Sequence, residues 1–191
     1  MEYIMMEIPS GMFTNEKITK KEVRQRFEYY VSQSNSRIDY LHSYIKDTGT
    51  NIELDYSPES LIDLWRWYED QIEVVKKTEE EWNDEISQYP NWMKDWIPRE
   101  DLSMKTMKIS LDVSFYFAEV MIRNNNKIEW GYFTSPKNRI GVNMPVLLGF
   151  VNGVDLDPRR IVDVCTRKST RGKDECRLFN IYNTWLEYIP T

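Results

Sequence analysis

The stretch KISLDVSFYFAEVMIRNNNKIEWGYFTSPKNRIGVNMPVLLGFV, residues 108–151, holds the densest apolar run in the chain, so the core of the protein must pass through it. Two periodicities overlap at its start. A period-two pattern, typical of a strand, comprises Ile109, Leu111, Val113, Phe115 and Phe117. A helical pattern comprises Leu111, Phe115, Ala118 and Ile122. Residues 103–123 contain no Gly or Pro, and three asparagines follow. We therefore predict a central helix that is apolar on most sides and enclosed by the rest of the protein.

Two short strands are expected after this helix. Ile128, Trp130 and Tyr132 alternate as in a half-buried strand. A second strand is predicted within 140–151, where Pro145 favours an edge or a bend because it cannot donate to a ladder. Since two strands alone are marginal, the hairpin must pack on the helices or recruit residues 3–8 as a third strand.

The N-terminal half is predicted to be a helical pair within 19–88. The first helix begins with a capping box, Thr19 and Glu22, and ends near Gly49, which suits a left-handed cap. The second begins at Ser57 and Pro58. Apolar residues at spacings of three and four continue from there for some thirty residues, which indicates one long amphipathic helix packed on the first.

The connection at 90–102 carries two tryptophans, Trp92 and Trp96. We expect them to fold back as a cover over the helical pair. The alternative is an exposed aromatic patch that serves a partner or a homodimer.

Asp157 and Pro158 repeat the cap-plus-proline signal and predict a basic helix to about residue 171, followed by a last helix over 178–189. The elements together predict one domain over residues 1–191. Its class is α+β, mostly helical, with a small antiparallel sheet packed on a central buried helix. The second half of this domain, residues 103–191, contains the central helix, the hairpin and the C-terminal helices.

Composition narrows the possible functions. A net charge of −6 argues against a general nucleic-acid binder, which needs a basic surface. No segment is long and apolar enough to span a membrane, and the first residues lack the pattern of a signal peptide. Two cysteines, without metal-ligand spacing, fit a reducing compartment. We expect a cytoplasmic protein.

No catalytic signature is found. His42 is the only histidine, and no glycine-rich phosphate loop or nucleophile elbow is present, so neither a metal nor a cofactor is predicted. The candidates that remain are two carboxylates, Asp112 and Glu119, which lie two turns apart on the central helix within an apolar run. Pointing inward, they could form an acid–base or cation site. Alternatively, each carboxylate is simply hydrogen-bonded to a helix end, an arginine or a backbone amide.

Charge is unevenly distributed along the chain. Residues 159–177 carry seven basic and three acidic side chains. The acidic excess is densest in one predicted helical stretch that contains Glu79, Glu80, Glu81, Asp84 and Glu85. Such a run is either a solvated face or a surface that steers and docks a basic protein.

The order of motifs over residues 103–189 resembles that of small, uncharacterised bacterial cytoplasmic proteins, some of which look like immunity partners of secreted polymorphic toxins. The matching motifs are DVSFYFAEV (112–120), KIEW (127–130), PVLLGF (145–150), DPRR (157–160) and WLEYI (185–189). The resemblance implies a non-enzymatic inhibitor that binds a protein toxin and blocks its site. The alternatives are a small-ligand module or enzyme that uses Asp112 and Glu119, and a structural homodimer.

Overall fold

The computed structural model describes residues 2–9, 18–137 and 139–190. Within them lie six α-helices and two two-stranded antiparallel sheets, so the predicted class, α+β and mostly helical, is confirmed. The helices are α1 (Lys20–Asp47), α2 (Ser60–Gln71), α3 (Glu79–Ser87), α4 (Met104–Asn124), α5 (Pro158–Ser169) and α6 (Arg177–Leu186). The strands are β1 (Val74–Lys76), β2 (Glu100–Leu102), β3 (Glu129–Gly131) and β4 (Val146–Leu148).

Helix α4 is the centre of the core, as predicted. The Ser103 side chain caps it by accepting from the Thr106 amide (3.1 Å), and Asn125 ends it. Residues on both sides of α4 are fully buried, which is why a period-two pattern also appears in its sequence. The strand reading of 109–117 is therefore wrong. Helices α1, α2 and α5 pack on α4.

The N-terminal helices differ from the predicted pair. Helix α1 has the expected capping box, and Gly49 has a left-handed φ of 81°. Helix α1 packs mainly on α4, whereas α2 packs mainly on α6 and less extensively on α4, and neither packs extensively on the other.

The prediction of one long second helix is wrong, because α2 ends at Gln71. The chain then becomes extended at β1, where Val74 and Val75 favour a strand. A new helix, α3, begins at a second capping box, in which Thr78 and Glu81 bond each other's backbone amides.

Strands β1 and β2 pair with Val74 opposite Leu102, and residues 77–99 between them include α3. We call residues 72–102 the acidic arm. Among the described residues, α3 makes no extensive packing contact with a core helix. The predicted cover by Trp92 and Trp96 is wrong, since these side chains are 72% and 83% exposed. The arm instead closes on itself around Trp82, which lies between Lys77 and Arg99.

The predicted hairpin is confirmed, with shorter strands. Gly131 lies opposite Val146, and a Cβ on this glycine would clash with the Leu148 side chain. Residues 3–8 form no third strand. They lie instead along α1, with Tyr3 fully buried and the amide of Ile4 bonded to Tyr40 (2.9 Å).

Helices α5 and α6 are confirmed, and the Asp157 side chain caps α5. No helix in the described parts of the chain is long and apolar enough to cross a bilayer.

Candidate functional site

Asp112 is fully buried and bonded on three sides. It accepts from Arg37 Nε (2.9 Å) and Nη2 (2.5 Å) and from the Tyr3 hydroxyl. Burial raises the pKa of Asp112, and the hydrogen bonds from Arg37 and Tyr3 oppose that rise. The Arg37 guanidinium also lies 4.6 Å from the ring centre of Tyr40. These contacts join the N-terminal segment, α1 and α4.

Glu119, like Asp112, bonds to a residue of α1, but its partners are different. It accepts from Ser34 Oγ (3.2 Å) and Trp130 Nε1 (3.3 Å) and lies 3.5 Å from Arg123 Nε. The two carboxylates therefore share no partner among these contacts, and neither lines the cleft on α5 described below. Both carboxylates hold elements together.

The five acidic residues predicted as a partner surface lie on α3, and three of them also stabilise the arm. Glu79 pairs with Arg99 (2.8 Å), Glu81 completes the capping box, and Glu85 pairs with Lys77. The other two, Glu80 and Asp84, are exposed, and their carboxylates form no hydrogen bond or ion pair with another described residue. They lie one helical turn apart.

Exposed apolar side chains accompany these acids on the arm. Trp92 and Trp96 lie on a 3₁₀ turn over 91–96, and Tyr89, two residues before that turn, has 39% of its surface exposed. Both β1 valines are also about half exposed. The arm contains nine acidic and four basic residues and so carries −5 of the chain's net −6. An acidic surface with aromatic side chains therefore extends from the core.

A second feature was missed in the sequence: an open cleft of about 650 Å³ on the outer face of α5. We call it the basic cleft. Its lining is mainly apolar and includes Met144, Leu156, Ile161, Val164, Ile181 and Trp185. The clustering of apolar residues at 161, 164 and 165 on a helix otherwise rich in arginine is the sequence signal that could have indicated it.

Charged residues line the edge of the basic cleft. Asp155 pairs with Arg139, and Asp157 with Arg159 (2.8 Å), so these acids are neutralised. Two further cations, Arg160 and Lys168, are exposed with no ion pair among the described residues. The cleft is therefore positive overall.

The basic residues of 159–177 are thus divided in role. Arg167 pairs with Asp101 at the base of the arm (2.9 Å), and Lys173 pairs with Asp70 (2.5 Å). These pairs tie helices and arm together. Arg160 and Lys168 are left for other contacts.

Nucleophile chemistry finds little support in this geometry. Burial raises the pKa of the Cys165 thiol in the cleft to about 11, which disfavours the thiolate. His42 lies on α1 with Nε2 3.2 Å from the Ile52 carbonyl oxygen. Within residues 2–9, 18–137 and 139–190, no group of three or more His, Cys, Asp or Glu side chains is arranged to hold a metal ion.

Comparison with protein families, curated proteins and solved structures finds no match. The function must therefore be argued from the residues of this chain.

Proposed function

We propose that this chain is a non-enzymatic binding protein of the bacterial cytoplasm that captures a basic partner protein through its acidic arm. An immunity-type inhibitor of a protein toxin is the class that fits best. The observation that carries the proposal is the exposure of Trp92 and Trp96 on the same arm as the acidic helix α3, which makes no extensive packing contact with a core helix among the described residues.

Tryptophan supports a docking role because it is enriched among the residues that dominate binding energy at protein interfaces. Burying two indoles that are 72% and 83% exposed would remove a large apolar area from water. A chain gains nothing in its own stability from leaving them exposed.

Charge supports the same role. A surface with a net charge of −5 attracts a basic partner over about one Debye length, roughly 8 Å at physiological salt, and raises the association rate. A basic toxin, such as a nuclease, has the opposite charge. The alternative that uses Asp112 and Glu119 for ligand chemistry gains no support, since both serve as ties between elements.

The test begins with affinity capture of the tagged protein from its host, followed by titration of the purified partner. The informative variant is Glu80→Lys/Asp84→Lys, because neither carboxylate forms a hydrogen bond or an ion pair with another described residue. We expect slower association, by about tenfold or more at low salt, and a weaker dependence of the rate on salt.

The matched control is Asp39→Lys/Asp47→Lys, which makes the same charge change on exposed positions of α1. It should leave the association rate much closer to that of the wild type. Equal losses in both variants would mean that only overall charge matters. A captured partner that binds the arm variant normally would refute the proposed surface.

A further inference from the structure

The chain carries two exposed surfaces of opposite charge, the acidic arm and the basic cleft. The arm has exposed indoles and two carboxylates, Glu80 and Asp84, that form no hydrogen bond or ion pair with the residues the structure describes. The cleft has a mainly apolar lining and two cations, Arg160 and Lys168, that pair with no acid in the described part of the chain. Each surface therefore offers the chemistry that the other lacks.

The shape of the cleft favours a protruding side chain over a small molecule. Small-ligand sites bury most of the ligand surface. Here the rim is open, with Ile140 75% and Val164 44% exposed. Its volume of about 650 Å³ leaves ample room for an indole side chain.

Helix α5 arranges the cations along the cleft. Arg160 and Lys168 are eight residues apart, which places them about 12 Å apart along the helix. Ile161, Val164 and Cys165 lie between them in the cleft lining. An apolar group seated on this stripe would have a cation on either side, and acids next to that group would be neutralised.

We propose that the occupant of the basic cleft is the acidic arm of a second copy of this chain, with Trp96 or Trp92 seated on the apolar stripe. The acidic face of α3 in one copy then lies against Arg160 and Lys168 of the other. The contact is heterologous, since each chain uses its arm at one contact and its cleft at another. Such contacts build rings or open chains.

This self-association is separate from the capture of a partner protein, and it also regulates how readily that partner binds. An arm held in the cleft of another copy is covered, so a basic partner must displace the second copy to bind. Self-association of the purified protein can be measured without any partner. Its failure is therefore distinguishable from failure of the proposed function.

The test is sedimentation velocity of the purified chain over a concentration series up to about 1 mM, the weak end of specific association, at low and high salt. Two variants each remove one half of the contact: Trp92→Ala/Trp96→Ala in the arm, and Arg160→Glu/Lys168→Glu in the cleft. The matched charge control is Lys21→Glu/Lys46→Glu on α1, at two exposed positions. Melting temperature and circular dichroism confirm that each variant is folded.

We expect wild type and control to associate, more strongly at low salt, and each variant alone to be monomeric. An equimolar mixture of the two variants should form a 1:1 dimer and nothing larger, because the mixture contains only one intact contact. Monomeric wild-type protein throughout would overturn the proposal. A dimer that persists in the cleft variant but not in the arm variant would mean arm-to-arm pairing, which also overturns it.

Discussion

Arg37 and Asp112 form a buried ion pair, with Nη2 and Oδ2 2.5 Å apart, that joins α1 to α4. The side chains are 11% and 1% exposed. Tyr3 donates a further hydrogen bond to the same carboxylate. The first described residues are thus bound to the most buried helix, which explains why residues 3–8 add no strand to a sheet.

Replacing Asp112 with Asn should lower the free energy of unfolding by about 3–5 kcal/mol, because the Arg37 guanidinium would then be buried without a counter-charge. Urea unfolding measures the loss. High salt should change it little, since buried pairs are weakly screened.

The matched comparison is Arg24→Ala, which removes a pair with Glu28 whose side chains are 71% and 56% exposed. This variant should lose less than about 1 kcal/mol. Similar losses for Asp112→Asn and Arg24→Ala would contradict the conclusion that Asp112 holds elements of the core together.

Two tryptophans, Trp65 and Trp96, should differ in how much they contribute to stability, because they differ in exposure. Trp65 is fully buried, so Trp65→Ala should cost about 3–5 kcal/mol of stability in thermal or urea unfolding. Trp96→Ala should stay within about 0.5 kcal/mol of wild type, because its side chain is 83% exposed. A large loss at Trp96 would mean that the arm packs on the core in solution.

Local signals explain which elements could be predicted. The capping boxes and proline starts lie within a few residues of one another, so Thr19 for α1 and Asp157 for α5 could be found by inspection. Helix α4 could be recognised because a run without Gly or Pro is too long for a buried strand.

The acidic arm could not be predicted because its base depends on residues far apart in the chain. Val74 pairs with Leu102, and no local sequence pattern predicts that pairing. The three-and-four spacing continues across Ile72 and Val75 although the backbone there is extended. The one available signal was the capping box at Thr78, which repeats that at Thr19. The partner of Asp112 was hidden for the same reason, since Arg37 lies on another helix.

Buried tyrosines should make the fold sensitive to alkali. Burial raises the pKa of Tyr3, Tyr30 and Tyr68, and that of Tyr116 from 10.0 to about 12. The unfolded chain loses these protons near pH 10, whereas the folded chain retains them. The contribution of Tyr116 to stability is therefore complete below pH 10.0 and is lost as the pH rises toward about 12, and the contributions of the other three are lost over a range that extends to higher pH.

The measurement is an alkaline titration followed by tyrosinate absorbance and by far-ultraviolet circular dichroism. These four tyrosines should ionise in the same transition in which helicity is lost. Ionisation of all tyrosines well before helix loss would contradict their burial.

The capping boxes should make the stability of the fold decrease as the pH is lowered into the acid range. Backbone and side-chain hydrogen bonds from Thr19 hold the pKa of Glu22 below its usual 4.5, and those from Thr78 do the same for Glu81. A carboxylate with a lowered pKa stabilises the fold above pH 4.5, and the stabilisation is lost as the pH falls through the folded-state value. Carboxyl chemical shifts in NMR report both values. Thr19→Ala should raise the pKa of Glu22 only part of the way toward its usual value, because alanine removes the side-chain hydrogen bond and keeps the backbone one, whereas Thr19→Ser should keep the pKa low.

The acidic arm should open more readily than the core, because its only buried apolar residues are Trp82 and, at its end, Leu102. Amide hydrogen exchange over 77–99 should be faster than over α4 by orders of magnitude. The Thr106 hydroxyl accepts from the Glu73 amide (2.8 Å) at the base of the arm.

Thr106→Val keeps the shape of that side chain and leaves the Glu73 amide without its acceptor, at a cost of about 1–3 kcal/mol. Exchange should therefore rise about tenfold or more in residues 72–102. The control is Thr184→Val, on the exposed face of α6, which should change exchange in the arm little. If exchange rises equally across α4 in Thr106→Val, arm and core open as one unit, and the arm is not an independently moving surface.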